Sequence, residues 1–433
     1  MTKAKEMVKF LNSCHSIFQA VDVMEKQLSK AGFKGLGENE YWQLEKGGSY
    51  YVTRNNSSII AFRIPQDEIK SSNIVVSHSD SPCFKIKPVA ELNNPHYKRL
   101  NVEVYGGAIL PSWLDRPLSI AGRALVRKDG VITSCLVDFD ENMAIIPNVA
   151  IHQNREINSG YKYNPQVDLI PLWGLDDGEE SLLNKIAAEL KIAREDILSY
   201  DLFIYNRDEA CLWGRDKEFI SSPRIDDLAC AFTSMQGIMK AASRDSLNIM
   251  GVFDNEEVGS MTRQGMASDF LANVIERVFS CFGLERERIM GIMANSFMIS
   301  ADNGHAVHPN HPELYDQANQ AYMNKGIVIK RCASQSYVTD AVSEAVIREL
   351  CERAKVPYQY FANRSDVRGG DTQGAIAGLH IPSMAADIGL AQLAMHSSFE
   401  TAGSKDVDHL IKLFEEFYQS SIYADNGNVR IEK

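Results

Sequence analysis

Apolar positions along this chain follow two rhythms, and the rhythm changes from region to region. In residues 1–28, "MTKAKEMVKFLNSCHSIFQAVDVMEKQL", Met7, Phe10, Leu11, Ile17, Phe18, Val21, Met24 and Leu28 carry the spacing of an amphipathic helix. "SYYVTRNNSSIIAFRI" reads as two strands joined by a polar turn, and "SNIVVSHSDSP" as a β-branched strand running into polar residues. From Lys87 to about Trp213 strand-like segments dominate, as in "RLNVEVYGGAIL", "SIAGRALVRKDGVITSCLVDFD" and "DLFIYNR", with one helix at "EESLLNKIAAELKI". After Ser222 the pattern alternates. "IDDLACAFTSMQGIMKAAS", "SDFLANVIERVFSCFG" and "VTDAVSEAVIRELCERA" predict helices, and "LNIMGVFDN", "YQYFAN" and "IPSMAADIGL" predict strands. "RIMGIMANSFMISADN" contains a further strand. "SKDVDHLIKLFEEFYQSS" predicts a closing helix capped by Ser404 or Asp406.

Strands that alternate with helices imply an α/β fold with a largely parallel mixed sheet flanked by helices. The β-rich middle reads as an insertion. The expected division is 1–90 with 222–433 for the α/β domain and 91–221 for the inserted domain. A length of 433 residues also exceeds one ordinary core.

Composition narrows the partners. Apolar residues make up 45% and charged residues 24%, as in ordinary globular chains. The net charge of -12 argues against nucleic acid and anionic membranes. No run approaches a membrane span, and the N-terminus lacks a signal-peptide pattern, so a cytoplasmic protein is expected. The eight cysteines are scattered without a C-x-x-C pair, which suits a reducing compartment. Cys83 is the one nearest to a candidate motif.

In open α/β sheets, ligands gather at the carboxyl ends of strands. The ionisable residues just beyond the apolar runs are His78 and Asp80, Glu256 and Glu257, Asp302 with His305 and His308, and His396. Asp226 and Asp227 stand at a helix start. Singly, each fits a duller role: a structural histidine, a first-turn acid, a solvated glutamate. Together they form a set rich in imidazole and carboxylate, suited to Zn²⁺ with Mn²⁺ and Co²⁺ as competitors. The set is too large for one tetrahedral ion and suits a pair sharing a carboxylate.

These residues lie within a series of ordered motifs: "SHSDSPCFKIKP", "YGGAILPSWLDRPLSIAGR", "IIPNVAIHQNREIN", "SSPRIDDLAC", "DNEEVGS", "SADNGHAVHPN", "GIVIKRCASQSYVTD", "GGDTQGAIAG" and "LAMHSSFETAG". In this the chain resembles the aspartyl aminopeptidase family of dinuclear zinc exopeptidases. The resemblance implies two zinc ions per subunit, one held by His78 and Asp302, the other by Glu257 and His396, with Asp226 bridging. It implies that Asp80 orients His78 and that Glu256 is the general base acting on a zinc-activated water. It places Lys330 near the pocket for an acidic first side chain of a peptide. It gives His152, in the insertion, to the active site of a neighbouring subunit, within a homododecamer built from dimers. Ser79 and Asp227 depart from the family's usual Thr and Asn.

Three rivals follow. The chain could prefer neutral residues such as Leu, hydrolyse a non-peptide amide such as an acyl amino acid, or be an assembly protein with a silent site.

Overall fold

The computed structural model describes residues 2–92, 95–175, 181–240, 244–425 and 427–432. A nine-stranded mixed sheet forms its centre. In chain order its strands are β1 (Lys34–Leu36), β2 (Ser49–Arg54), β3 (Ser58–Arg63), β4 (Ser71–His78), β5 (Ser246–Phe253), β6 (Phe297–Ala301), β7 (Ile327–Lys330), β8 (Tyr358–Phe361) and β9 (Met384–Gly389). The order across the sheet is β1-β2-β3-β5-β4-β6-β9-β7-β8. The central run β5-β4-β6-β9 is parallel, while β2, β3 and β5 pair antiparallel in sequence, as do β9 and β7. The polar turn between β2 and β3 puts Asn55 and Asn56 at φ of 58° and 54°, the left-handed pair that a tight hairpin requires.

Successive side chains of a strand point to opposite faces, and both faces of this sheet are buried. Ile74 and Val76 join one core with the helix Phe270–Cys281. Val75 joins the other core, with the helices Ile225–Lys240 and Asp406–Gln419. That is why β4 and β5 read as near-continuous apolar runs rather than as alternating ones.

A second, wholly antiparallel sheet of six strands comes from the middle of the chain, with its own core around Phe84, Leu100, Ile120 and Leu202. It runs from the strand Cys83–Leu92 to the strand Ile197–Asn206. The expected boundary at residues 90 and 91 therefore lies inside its first strand. The boundary at 221 lies inside Phe219–Ser222, which pairs with Glu400–Gly403. That pairing belongs to a small five-stranded sheet with Cys211–Trp213, Ala391–Leu393 and Gly304–His305.

Several local expectations change. The N-terminal helix is two helices, Lys3–Leu11 and Ile17–Lys30, because the Ser16 hydroxyl accepts from the Phe18 N–H and starts a new helix. "RIMGIMA" is a helix, Arg286–Ala294, ahead of β6. The closing helix has no side-chain cap. The Asp406 carboxylate accepts instead from the backbone N–H groups of Asn324 and Gly326, tying the helix to a distant loop. Residues 179–180 and 241–243, expected in helices, lie outside the described residues.

Candidate metal centre

The parallel strands β5, β4 and β6 lie side by side, so their carboxyl ends converge. Register pairs His78 with Phe253 and Ser300 with Val76. His78 is thus the last residue of β4, Asp302 follows β6 immediately, and Glu256 opens a short 3₁₀ turn just beyond β5. Asp226 comes from the start of the helix Ile225–Lys240, where the backbone is not yet helical. His396 arrives from the loop before the strand Glu400–Gly403.

The Asp226 carboxylate is the centre of the cluster. Its Oδ1 lies 3.8 Å from His78 Nε2, and its Oδ2 lies 3.4 Å from His396 Nε2. Glu257 Oε1 lies 3.3 Å from the same His396 nitrogen. Donor atoms of His78, Asp226 and Glu257 all fall within 4.8 Å of one another.

Both imidazoles are held by their other nitrogen. His78 Nδ1 donates to the Asp80 carbonyl at 3.0 Å, and His396 Nδ1 donates to the Gly107 carbonyl at 3.1 Å. A carbonyl only accepts, so each Nδ1 carries the proton and each Nε2 turns a lone pair toward carboxylate oxygens. Lone pairs facing carboxylates repel unless a cation lies between them. Asp226 Oδ1 and Glu257 Oε1 are also buried without a hydrogen bond. A dication satisfies all of these atoms at once, and the nitrogen and oxygen donor set is one that zinc accepts.

The protonation tendencies agree. Burial disfavours the His396 cation, yet Asp226, with Glu257, raises its pKa to about 10. His78 likewise rises well above the ordinary value, against burial, through Asp80 and the surrounding acids. Burial raises Glu257, whereas Asp226 falls below the carboxylate value because the imidazoles outweigh its burial. In the metal-free cluster, then, protons collect where a dication would bind.

Adjacent Glu256 and Glu257 are separated by one anchor. Asp80 accepts the Glu256 N–H on Oδ1 and the Glu257 N–H on Oδ2, each at 3.1 Å, and the Tyr105 hydroxyl on Oδ2 at 2.7 Å. The turn is fixed so that Glu257 meets His396. Glu256 lines the cleft, with its pKa pushed up to about 7, chiefly by burial.

The cleft holds about 460 Å³ and is lined by His78, Asp226, Glu256, Glu257, Asp302 and His396, with Lys330 and Tyr337 on its wall. Lys330 is 1% exposed. Its ammonium lies 3.3 Å from Asp302 Oδ1, donates to the Asn303 carbonyl and sits 5.1 Å from the centre of the Tyr337 ring. His305 also lines the cleft, but His308 does not. His152 is exposed in a turn of the insertion and reaches no part of it. Cys83 lines a separate cavity of about 40 Å³, and burial raises its pKa, which keeps the thiol protonated.

Sequence reasoning missed the share of the insertion. Tyr105 bonds Asp80, and the Gly107 carbonyl sets the His396 tautomer. Gly106 has φ of 72°, and a Cβ there would lie 3.1 Å from the Glu257 Cβ, so the close approach needs glycine. Glu400, within the quoted "LAMHSSFETAG", was also given no role.

An α/β chain with imidazoles and carboxylates converging at its strand ends has the architecture of a metal-dependent hydrolase. Comparison with known proteins makes this specific. The family described as aminopeptidase I zinc metalloprotease (M18) matches residues 10–418, and the chain belongs to that family. Probable M18 family aminopeptidase 2 of Clostridium acetobutylicum is 43% identical over 424 residues, covering 96% of this chain and 98% of the relative. The protein of the same description from Pseudomonas putida strain KT2440 is 38% identical, over 96% of this chain and 97% of its own. Among solved structures, a chain of the Ape4 and Nbr1 complex superposes with a TM-score of 0.93 at 33% identity, over 96% of this chain and 85% of that chain. The S. cerevisiae mApe1 dodecamer superposes at 0.84 with 29% identity, over 96% of both. The protein is a zinc aminopeptidase, a hydrolase of peptide bonds, which sets aside the non-peptide and silent-site readings. Among the described residues, no helix is long and apolar enough to cross a membrane.

Proposed function

We propose that this aminopeptidase releases N-terminal aspartate or glutamate from peptides in a reducing, cytoplasmic setting, using two zinc ions per subunit. The observation that carries the reading is the split Asp226 carboxylate, one oxygen toward His78 and the other toward His396. Two ions, one held by His78 and Asp302 and one by Glu257 and His396, with Asp226 shared, would supply Lewis acidity for the scissile carbonyl and for water. The donor set also admits Mn²⁺ or Co²⁺.

The chain's own groups do the rest. Glu256 lines the cleft, while its backbone alone is held by Asp80, so its carboxylate can face the attacking water as general base. It accepts the proton of the attacking water and returns it to the leaving amine. Asp80 keeps Glu256 and Glu257 on their separate tasks. Lys330 offers positive charge in the cleft wall for an acidic first side chain. The assembly follows the dodecamer described for mApe1, with the insertion packing subunits in pairs and the exposed His152 completing a neighbour's cleft.

Hydrolysis of N-terminal Asp, Glu and Leu reporters, with and without a zinc chelator, tests the reading. Chelator-sensitive preference for the acidic reporters is expected. One observation favours a second outcome: Asp302 already neutralises Lys330 at 3.3 Å. Preference for Leu would leave the mechanism intact and remove the acidic pocket.

A further inference from the structure

Glu400 is 2% exposed and lies behind the cluster. The register that pairs it with Ser222 brings it against the start of the helix carrying Asp226. Its Oε2 accepts the Asp226 N–H at 3.0 Å, and its Oε1 accepts the His396 N–H at 2.8 Å. Among the described residues, no other side chain bonds the backbone of both. Asp226 and His396 are 170 residues apart in sequence, from different strand connections, yet one carboxylate fixes both main chains.

The anchor is itself braced. Gln392 Nε2 donates to Glu400 Oε1 at 3.3 Å, and Gln392 Oε1 accepts from Asn303 Nδ2 at 2.8 Å. Asn303 follows Asp302, and its Nδ2 also donates to the Ile225 carbonyl at 3.0 Å, beside Asp226. The chain Asn303–Gln392–Glu400 thus ties three metal-facing segments together beneath the cleft. Asp80 does the same for Glu256 and Glu257 on the other side.

We infer that Glu400 is a positioning residue that sets the Asp226–His396 spacing and thereby the affinity of the site for zinc. The chemistry demands a carboxylate. Two N–H donors converge on one side chain, and only a carboxylate offers an acceptor to each. An amide of the same shape turns its NH₂ on one donor and releases either Asp226 or His396.

This rests on reading Asp226 and His396 as zinc ligands, so the experiment separates the two claims. Zinc affinity is measured on metal-free protein by competition with a chromogenic chelator, for wild type, Glu400→Gln and His396→Ala. The d–d spectrum of the cobalt-loaded proteins is recorded alongside. Glu400→Gln should bind zinc about 10–100-fold more weakly and change the cobalt spectrum. Wild-type affinity and spectrum in a folded Glu400→Gln would overturn the inference, whatever its unfolding midpoint. Wild-type affinity in His396→Ala would instead overturn the ligand reading on which it rests. If Glu400→Gln does not fold, Gln392→Met takes its place, since it removes only the brace. A several-fold loss of affinity is then expected, and no loss counts against the inference.

Discussion

Asp80→Asn tests how the paired glutamates are held apart. The carboxylate is 1% exposed and takes a backbone N–H on each oxygen, from Glu256 and from Glu257, both at 3.1 Å. The substitution keeps shape and removes one acceptor, so the new NH₂ faces one of those N–H groups whichever way the amide is turned. The Tyr105 hydroxyl can rotate to accept, but a backbone N–H cannot. One charge-assisted bond worth about 1.5–3 kcal/mol is lost, and a buried donor is stranded at a cost of about 1–3 kcal/mol. These terms overlap, and a net loss of about 2–4 kcal/mol is expected. Urea unfolding of the metal-free protein reads it. Tyr105→Phe removes a donor to Asp80 and the acceptor of Asn255 Nδ2, but leaves both backbone N–H bonds in place; it should cost less, about 1–2 kcal/mol. Because the turn carries Glu256, turnover of Asp80→Asn should fall about 10–100-fold. Equal stability in Asp80→Asn and Tyr105→Phe, with turnover unchanged, would show that the carboxylate does not hold the turn.

Glu256→Gln should lower kcat by about 10²–10⁴-fold while zinc content by atomic absorption stays at the wild-type level; loss of zinc would move Glu256 among the ligands. Lys330→Met should reduce kcat/KM for an N-terminal Glu reporter at least about tenfold more than for Leu, the scale of one charged contact; an equal loss for both would make Lys330 a support for Asp302 alone. The third test is of acid stability. Burial opposes ionisation of Asp245, but Ser421, Tyr423 and Lys70 outweigh it, and its pKa lies below the usual value. A depressed carboxylate stabilises the fold above its unfolded pKa of about 3.9, and that stabilisation is lost as pH falls through the folded value. Asp245→Asn should therefore be less stable than wild type near neutrality, with the gap closing as pH falls below about 4; a gap independent of pH would mean the carboxylate's charge contributes nothing.

The parts legible in the sequence were those that periodicity exposes. Apolar runs ending at His78, Phe253 and Ala301 marked β4, β5 and β6, and of the polar residues at or beyond their ends His78, Glu256, Glu257, Asp302 and His305 line the cleft. What stayed hidden depends on contacts between distant segments. Glu400 and Asp80 act on backbone N–H groups, which carry no signature in a string of side chains. Gly107 contributes a carbonyl, which any residue has. "RIMGIMANSFMISA" is apolar almost throughout, so its rhythm could not separate the helix Arg286–Ala294 from β6. Asp406 has the right chemistry to cap its helix, but two loop N–H groups claim it first.

The Gly107 carbonyl belongs to the six-stranded sheet, and the imidazole it orients belongs to the nine-stranded unit's connections. One imidazole of the candidate site is therefore aimed by a separately cored layer. During synthesis, the residues of the insertion emerge long before His396. The site reaches its final shape only when both layers have formed and closed on each other. A refolding chain should therefore gain its backbone signal before its full affinity for metal.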